Sequence, residues 1–364
     1  METQRPDVIL NKLRAGGYEA YYVGGCVRDS LLGRPINDWD ITTSAQPRQV
    51  MEIFNKCIPT GIRHGTVTVL EAGVRAEVTT FRTDGSYSDN RHPAQVTFVR
   101  SLQEDLARRD FTVNAMAMDV QGKVIDLYGG QKDLAEGILR CVGQADRRFR
   151  EDALRMLRAL RFSAQLGFRI EEETMAAIRR NAKRCEALSA ERVCAETEKV
   201  LLSPRTERLE DMAKLGLLER CCPSKERSCA WLKDLPQDAV VRWAGLCRTW
   251  EQMELSVLRM SKKITQTAMK AGHCTVPQTR LEWKKLIAFE GKAVAETVAA
   301  MEQSSAQVEE ILQSGECLSL RHLAVTGADL PDCTGQELGE RLQGLLCHVL
   351  EHPEDNQKDI LLSL

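Results

Sequence analysis

Residues 21–43 read YYVGGCVRDSLLGRPINDWDITT. The stretch opens on a short apolar run, turns at Gly24-Gly25, and passes through an Arg-Asp pair to two aspartates one residue apart. "DWDIT" reads as a strand, in which alternate side chains share a face, so Asp38 and Asp40 point the same way. Like charges held that close repel one another unless something neutralises them.

Working outward, residues 6–15 carry Val8, Ile9 and Leu13 at helical spacing and stop at Gly16-Gly17. "VRDSLLG" is a short helix, and "QPRQVMEIF" a second with Pro47 near its start. "GTVTVLEAG" and "VRAEVTTFR" form a hairpin across Ala72-Gly73, and further strands fall around "FTVNAMAMDV" and "KVIDLYGG". A small mixed sheet with helices packed on it is the expected outcome. From residue 139 the strand signals vanish. Leu154, Leu157, Leu160 and Phe162 recur at helical intervals, and helical patterns continue to the end, with breaks at "CCPSKERS" and "HCTVPQTR".

Composition narrows the class. The 364 residues are 43% hydrophobic and 28% charged with a net charge of -2, an ordinary globular balance with no overall basic excess. No apolar run reaches the roughly 20 residues that span a bilayer, and the N-terminus lacks the layout of a signal peptide. The 13 cysteines show no CxxC pairs. Reduced thiols in a cytoplasmic protein are expected, without a zinc site or disulfides.

A cluster of carboxylates is stable where divalent cations neutralise it, and Mg²⁺ favours sites where phosphate supplies further ligands. Asp38 and Asp40 are the expected metal ligands, with Glu77, on an expected neighbouring strand, as a third catalytic carboxylate. The Gly24-Gly25 turn lets the backbone approach phosphate oxygens, which makes Gly25 a candidate nucleotide contact.

These residues carry a family resemblance. "GGCVRDSLLGRPINDWDI" (24–41) resembles the signature of the tRNA nucleotidyltransferase and poly(A) polymerase group, in the nucleotidyltransferase superfamily of DNA polymerase β. "DLARRDFTVNAMAMD" (105–119), "DLYGGQKDLAEGILR" (126–140), "EDALRMLRALRF" (151–162) and "ERVCAETEKVLLS" (191–203) resemble the family's later motifs, in order. The resemblance implies a class II CCA-adding enzyme, which completes the 3′ end of tRNA from CTP and ATP without a nucleic-acid template. It implies that Asp38 and Asp40 hold Mg²⁺. It places Arg28 and Asp29 beside the triphosphate and ribose, and Arg108, Arg109, Asp110 and Asn114 on triphosphate and sugar. Arg158 and Arg161, in the fourth motif, join the nucleotide-binding set.

An enzyme without a template must accept C and A while refusing U and G. C and A each present an exocyclic amine beside an unprotonated ring nitrogen. A carboxylate beside a guanidinium complements that edge and repels the other. In "EDALR", Asp152 and Arg155 stand three apart, neighbours on one helix face. The resemblance assigns them the base-reading role, with Glu151 orienting the arginine.

The polar stretch between Phe81 and Val96, "RTDGSYSDNRHPAQ", is long for a hairpin connection and resembles the family's loop for the switch from C to A. It argues against an enzyme that adds only CC. Between Leu139 and Arg205, fifteen Lys/Arg stand against ten Asp/Glu, a local surplus suited to tRNA phosphates and the shape of the acceptor–TΨC arm.

The expected fold is α+β: a polymerase β-like nucleotidyltransferase head with a mixed sheet (1–138), then an all-α neck holding the base-selecting motif (139–205), body (206–285) and tRNA-binding tail (286–364). The expected partners are tRNA, CTP and ATP, with no membrane and no obligate protein partner. An A-adding enzyme and a poly(A) polymerase share these motifs and remain open. The reading from another class is a catalytically silent RNA-binding protein on the same scaffold.

Overall fold

The computed structural model describes residues 5–84, 96–222 and 228–364. The chain forms two compact units, Met1–Glu196 with Lys214–Glu219, and Thr197–Ala213 with Arg220–Leu364.

The first unit begins with α1 (Asp7–Ala15), β1 (Ala20–Val23), α2 (Gly25–Leu31), β2 (Asp40–Thr43) and α3 (Pro47–Ile53). The strands β3 (Cys57–Gly61), β4 (Thr66–Glu71) and β5 (Val74–Thr80) follow, then the small pair β6 (Arg82–Asp84) and β7 (Val96–Phe98). Helix α4 (Leu102–Ala107), β8 (Met116–Met118), β9 (Val124–Asp126) and α5 (Gly130–Glu136) complete the head. Seven strands form one sheet in the order β3-β4-β5-β2-β1-β8-β9. It is mixed because β2 runs parallel to β5 while its other pairings are antiparallel. Ala72 and Gly73 turn the β4–β5 hairpin, both at positive φ.

The pleat sorts the side chains. Tyr22, Ile41, Val67, Val69, Ala76 and Val78 face one side, where they bury against Ile9, Leu10 and Leu13 of α1 and Val50 of α3. The period of two sends Asp40 and Thr42, with Glu77 and Thr79, to the other side. There a smaller apolar group, Val23, Leu106 and Ala117, holds α4 against the sheet. The polar face is thereby left for chemistry.

The rest of this unit is helical except for one parallel pair, β10 (Ile138–Leu139) with β11 (Arg169–Ile170). This corrects the expectation that strands end at residue 139. The pair needs only two residues from each side and lies between helices, so it leaves no periodic signal. Helices α6 (Ala145–Glu151), α7 (Leu154–Leu166), α8 (Glu172–Asn181) and α9 (Ala190–Leu201) follow. Phe149, Met156, Leu157, Leu160 and Ile178 are buried among them.

In the second unit come α10 (Arg208–Lys214), α11 (Ala239–Thr249), α12 (Lys262–His273), α13 (Arg280–Glu290), α14 (Lys292–Met301), α15 (Ser305–Gln313), α16 (Gly335–Glu351) and α17 (Lys358–Ser363). Helices α11 and α12 pack so closely that a Cβ on Gly272 would sit 2.6 Å from the Cys247 Cβ and 2.7 Å from the Ala244 carbonyl. The buried Arg242 guanidinium donates to the carbonyls of Leu201, Ser203, Lys233, Leu235 and Pro236, which satisfies several chain ends at once. No helix among the described residues is long and apolar enough to cross a membrane.

Candidate active site

Asp40 opens β2, and its Cα lies opposite that of Glu77 on the parallel β5. Asp38 is exposed and lies just before the strand, so the strand is shorter than "DWDIT" suggested. Trp39 between them points into the core and packs against Tyr22 at 4.9 Å between ring centroids. Burial pushes the Asp40 carboxyl up to about 6; Arg109 pulls the other way, while Glu77 and Asp38 add to the rise. The Glu77 side chain is half exposed, with Arg75 at 3.9 Å. Among the described residues no three His, Cys, Asp or Glu side chains gather tightly enough to hold a metal. Glu77 stands opposite Asp40 across the β2–β5 pairing, and its charge and that of Asp38 both act on the Asp40 carboxyl. Asp38 and Asp40 still fit a hard divalent cation: both donate oxygen, and the raised Asp40 records a charge that such a cation would offset.

Next to this pair stand the arginines of the second motif. Asp105 on α4 is fully buried and accepts from Thr42 Oγ1 at 3.1 Å. It also accepts from Arg108 Nη2 at 2.8 Å and Arg109 Nη2 at 3.3 Å, three and four residues on. Burial alone would raise its carboxyl, but Arg109 and Arg108 hold it below the usual range. Arg109 also explains Gly24. That residue has φ 78°, and a Cβ there would meet Arg109 Nη1 at 2.9 Å. The buried Arg109 Nε has no hydrogen-bond partner, a spare donor suited to a phosphate oxygen. Gly25, by contrast, has ordinary room around its Cα.

A second chain of contacts runs from Arg28 on α2 to Arg158 on α7. Arg28 forks onto Asp29 at 2.9 and 2.8 Å and donates to Asn114 Oδ1 at 2.6 Å. Asn114 Nδ2 donates to Asp110 Oδ1 at 3.2 Å, and Arg158 Nε donates to Asp110 Oδ2 at 2.7 Å. Asp110 is buried, which opposes its charge, yet Arg158, Asn114 and Arg155 bring its carboxyl down to about 2. The guanidinium carbons of Arg28, Arg158 and Arg161 lie 5.1, 5.2 and 4.0 Å from the centre of the Phe162 ring. Arg161 also pairs with Glu196 at 2.7 Å, and burial lowers its guanidinium to about 10.

The segment expected to select the base departs from its expected geometry. Helix α6 ends at Glu151, Asp152 is extended with φ -144°, and α7 begins at Leu154. Asp152 and Arg155 therefore do not share one helix face. Asp152 Oδ1 accepts the Leu154 N–H at 3.0 Å, and Oδ2 accepts from Arg192 Nη2 at 3.0 Å. Arg155 Nη1 donates to Glu151 Oε2 at 3.0 Å, and Nη2 donates to the Arg108 carbonyl at 2.9 Å. Glu151 also pairs with Arg147 at 3.1 Å and Arg148 at 2.8 Å. The structure thus brings Arg155 onto the backbone of the arginine motif.

Asp105, Phe162 and Arg192 lie in the quoted motifs but receive no site role from sequence. Asp105 had a signal in its i,i+3 and i,i+4 spacing to Arg108 and Arg109. Arg192 lies in the quoted 191–203 motif, but nothing local pointed to its partner 40 residues away. The segment expected to act in the switch between bases falls largely outside the described residues, at 85–95.

Two family matches fall on the chain. Residues 20–140 match the Poly A polymerase head domain, and residues 167–227 match the probable RNA and SrmB-binding site of polymerase A. The chain is 38% identical to the CCA-adding enzyme of Enterococcus faecalis, over 98% of this chain and 93% of that protein. It is 45% identical over 307 residues to the CCA-adding enzyme of Geobacillus thermodenitrificans, covering 84% of this chain and 72% of that one. Among solved structures, the Bacillus stearothermophilus CCA-adding enzyme in complex with CTP superposes with a TM-score of 0.81. Its identity is 35%, and 98% of this chain and 96% of that chain are covered. The Thermotoga maritima CCA-adding enzyme complexed with tRNA-CCA shares the fold, with a TM-score of 0.64 at 20% identity over 98% and 93% of the two chains.

Proposed function

The chain belongs to the CCA-adding enzymes, a family of tRNA nucleotidyltransferases, and from that membership we propose how its own residues carry the reaction. It adds CCA to tRNA from CTP and ATP without a nucleic-acid template. In each round the 3′ hydroxyl of tRNA attacks the α-phosphate, the bond to the β-phosphate oxygen breaks, and pyrophosphate leaves.

Asp38 and Asp40 would hold Mg²⁺, which lowers the pKa of the attacking hydroxyl and offsets the charge on the leaving pyrophosphate. Arg109, set against Gly24 and anchored by Asp105, offers its spare N–H to the triphosphate. Arg28, Asp29, Asp110 and Asn114 form a linked network beside it, suited to sugar and phosphate oxygens. Glu151 and the Arg108 carbonyl hold the Arg155 guanidinium in one orientation. A fixed donor discriminates best, because the wrong base leaves it unpaired. Glu77 flanks the pair as a third acidic group. The four-part division into head, neck, body and tail, the basic neck as tRNA contact, and a cytoplasmic location belong to the same reading.

The observation that carries it is Asp40, which pays a burial penalty and sits among acidic neighbours at the edge of an arginine network. Replacing Asp40 with Ala is expected to leave tRNA binding intact in a gel-shift assay and to abolish nucleotide incorporation. Incorporation by that variant at the parental rate would refute the metal assignment.

A further inference from the structure

We propose that Arg192 is a positioning residue for base selection, acting through Asp152. The inference rests on the reading that Asp152 faces the base. In the structure the guanidinium on Asp152 is that of Arg192, at 3.0 Å, while Arg155 is tied to Glu151 and the Arg108 carbonyl. Asp152 stands at a break between two helices. Two contacts fix its side chain: the N–H of Leu154, the first residue of α7, on Oδ1, and Arg192 of α9 on Oδ2. The carboxylate plane is thereby set, and each oxygen keeps a further lone pair for an amine.

Arg192 is suited to hold that plane. Its side chain is 22% exposed, and the ion pair with the 17% exposed Asp152 lies partly out of water, where such pairs are geometrically specific. Its Nη1 is buried and has no hydrogen-bond partner, so the guanidinium is not spread over competing acceptors. The planar guanidinium holds its N–H in a fixed direction, which a freely rotating ammonium does not. Without Arg192, Asp152 retains the Leu154 N–H alone and can turn about that bond. An acceptor free to turn can meet a ring N–H as readily as an exocyclic amine, so the site would admit U and G.

The test uses the full-length protein and tRNA transcripts ending before C and before A, with each of CTP, UTP, ATP and GTP supplied singly. Arg192→Gln is expected to reduce the preference for C over U and for A over G, in kcat/KM, by tenfold or more. Arg192→Lys, which keeps the charge and loses the fork, should recover part of that preference, and it carries the test if the Gln variant does not fold. Asp152→Asn should relax base choice on its own, and adding Arg192→Gln to it should change the preference little further. Loss of preference in Asp152→Asn with full preference in both Arg192 variants overturns the inference and leaves the reading of Asp152 standing. Unchanged preference in Asp152→Asn overturns that reading itself. A uniform fall in kcat for all four nucleotides in Arg192→Gln would show a structural role only and also overturn the inference.

Discussion

At position 40 a half-buried carboxylate stands opposite Glu77 and two residues from Asp38, with Arg109 as the cation that draws its carboxyl back down. A folded-state pKa raised to about 6 means that, without metal, the charged form weakens the fold above that pH, and the penalty fades as pH falls through it. Asp40→Asn removes the charge at constant shape. It is expected to stabilise the metal-free protein by on the order of 2 kcal/mol at pH 7.5, read from its melting temperature, while eliminating catalysis. An unchanged or lowered melting temperature would show that the carboxylate is not held under strain. Gly24 gives a second residue-scale expectation. A methyl group there meets Arg109 and forces a positive φ on an L-residue, so Gly24→Ala should raise the KM for CTP and ATP at least tenfold and leave tRNA affinity alone. Unaltered nucleotide KM values would remove Arg109 from the triphosphate site.

Among elements, the junction of α4, the Asp110 segment and α7 links the arginine motif to the segment proposed to select the base. Asp110 has a folded-state carboxyl at about 2, below its unfolded value near 3.9, so its stabilising effect is present above pH 4 and is lost as pH falls toward 2. Arg158→Leu, which takes away its largest opposing charge, should lower stability above pH 4 and flatten the acid limb of the unfolding curve between pH 4 and 2. Parallel curves for the two proteins would separate Asp110 from that limb. This junction also marks where sequence and structure part. The β4–β5 hairpin, the Gly24 turn and the mixed sheet were legible because turn residues and period-two alternation are local signals. The strand β3 was not, since "CIPTG" contains a proline and lies at the sheet edge with its middle residues exposed. The break at Asp152 was hidden because "REDALRML" has uninterrupted helical composition, and only the tertiary pull of Arg192 and the Leu154 N–H shows the extended residue. Asp38, Asp40 and the arginine motif were readable as a site; their wiring through Asp105 and Phe162 depends on folded neighbours.

For the whole molecule, a net charge of -2 coexists with the basic surplus between Leu139 and Arg205. If that surplus meets tRNA phosphates, affinity for tRNA should fall steeply with added salt as counterions are released. The KM for CTP should rise less over the same range, because Arg28, Arg155 and Arg161, proposed to bind the nucleotide, are buried and less screened. Equal salt slopes for the two substrates would argue against a phosphate-tracking neck. The central claim, that one chain completes the whole CCA end, is tested most directly by sequencing tRNA 3′ ends after incubation with Mg²⁺, CTP and ATP. Transcripts would end at the discriminator base, at C, or at CC. The account predicts full CCA on the bare transcript, CA on the C-ended one, and a single A on the CC-ended one. Extension of the CC-ended transcript alone, or of none, would contradict it.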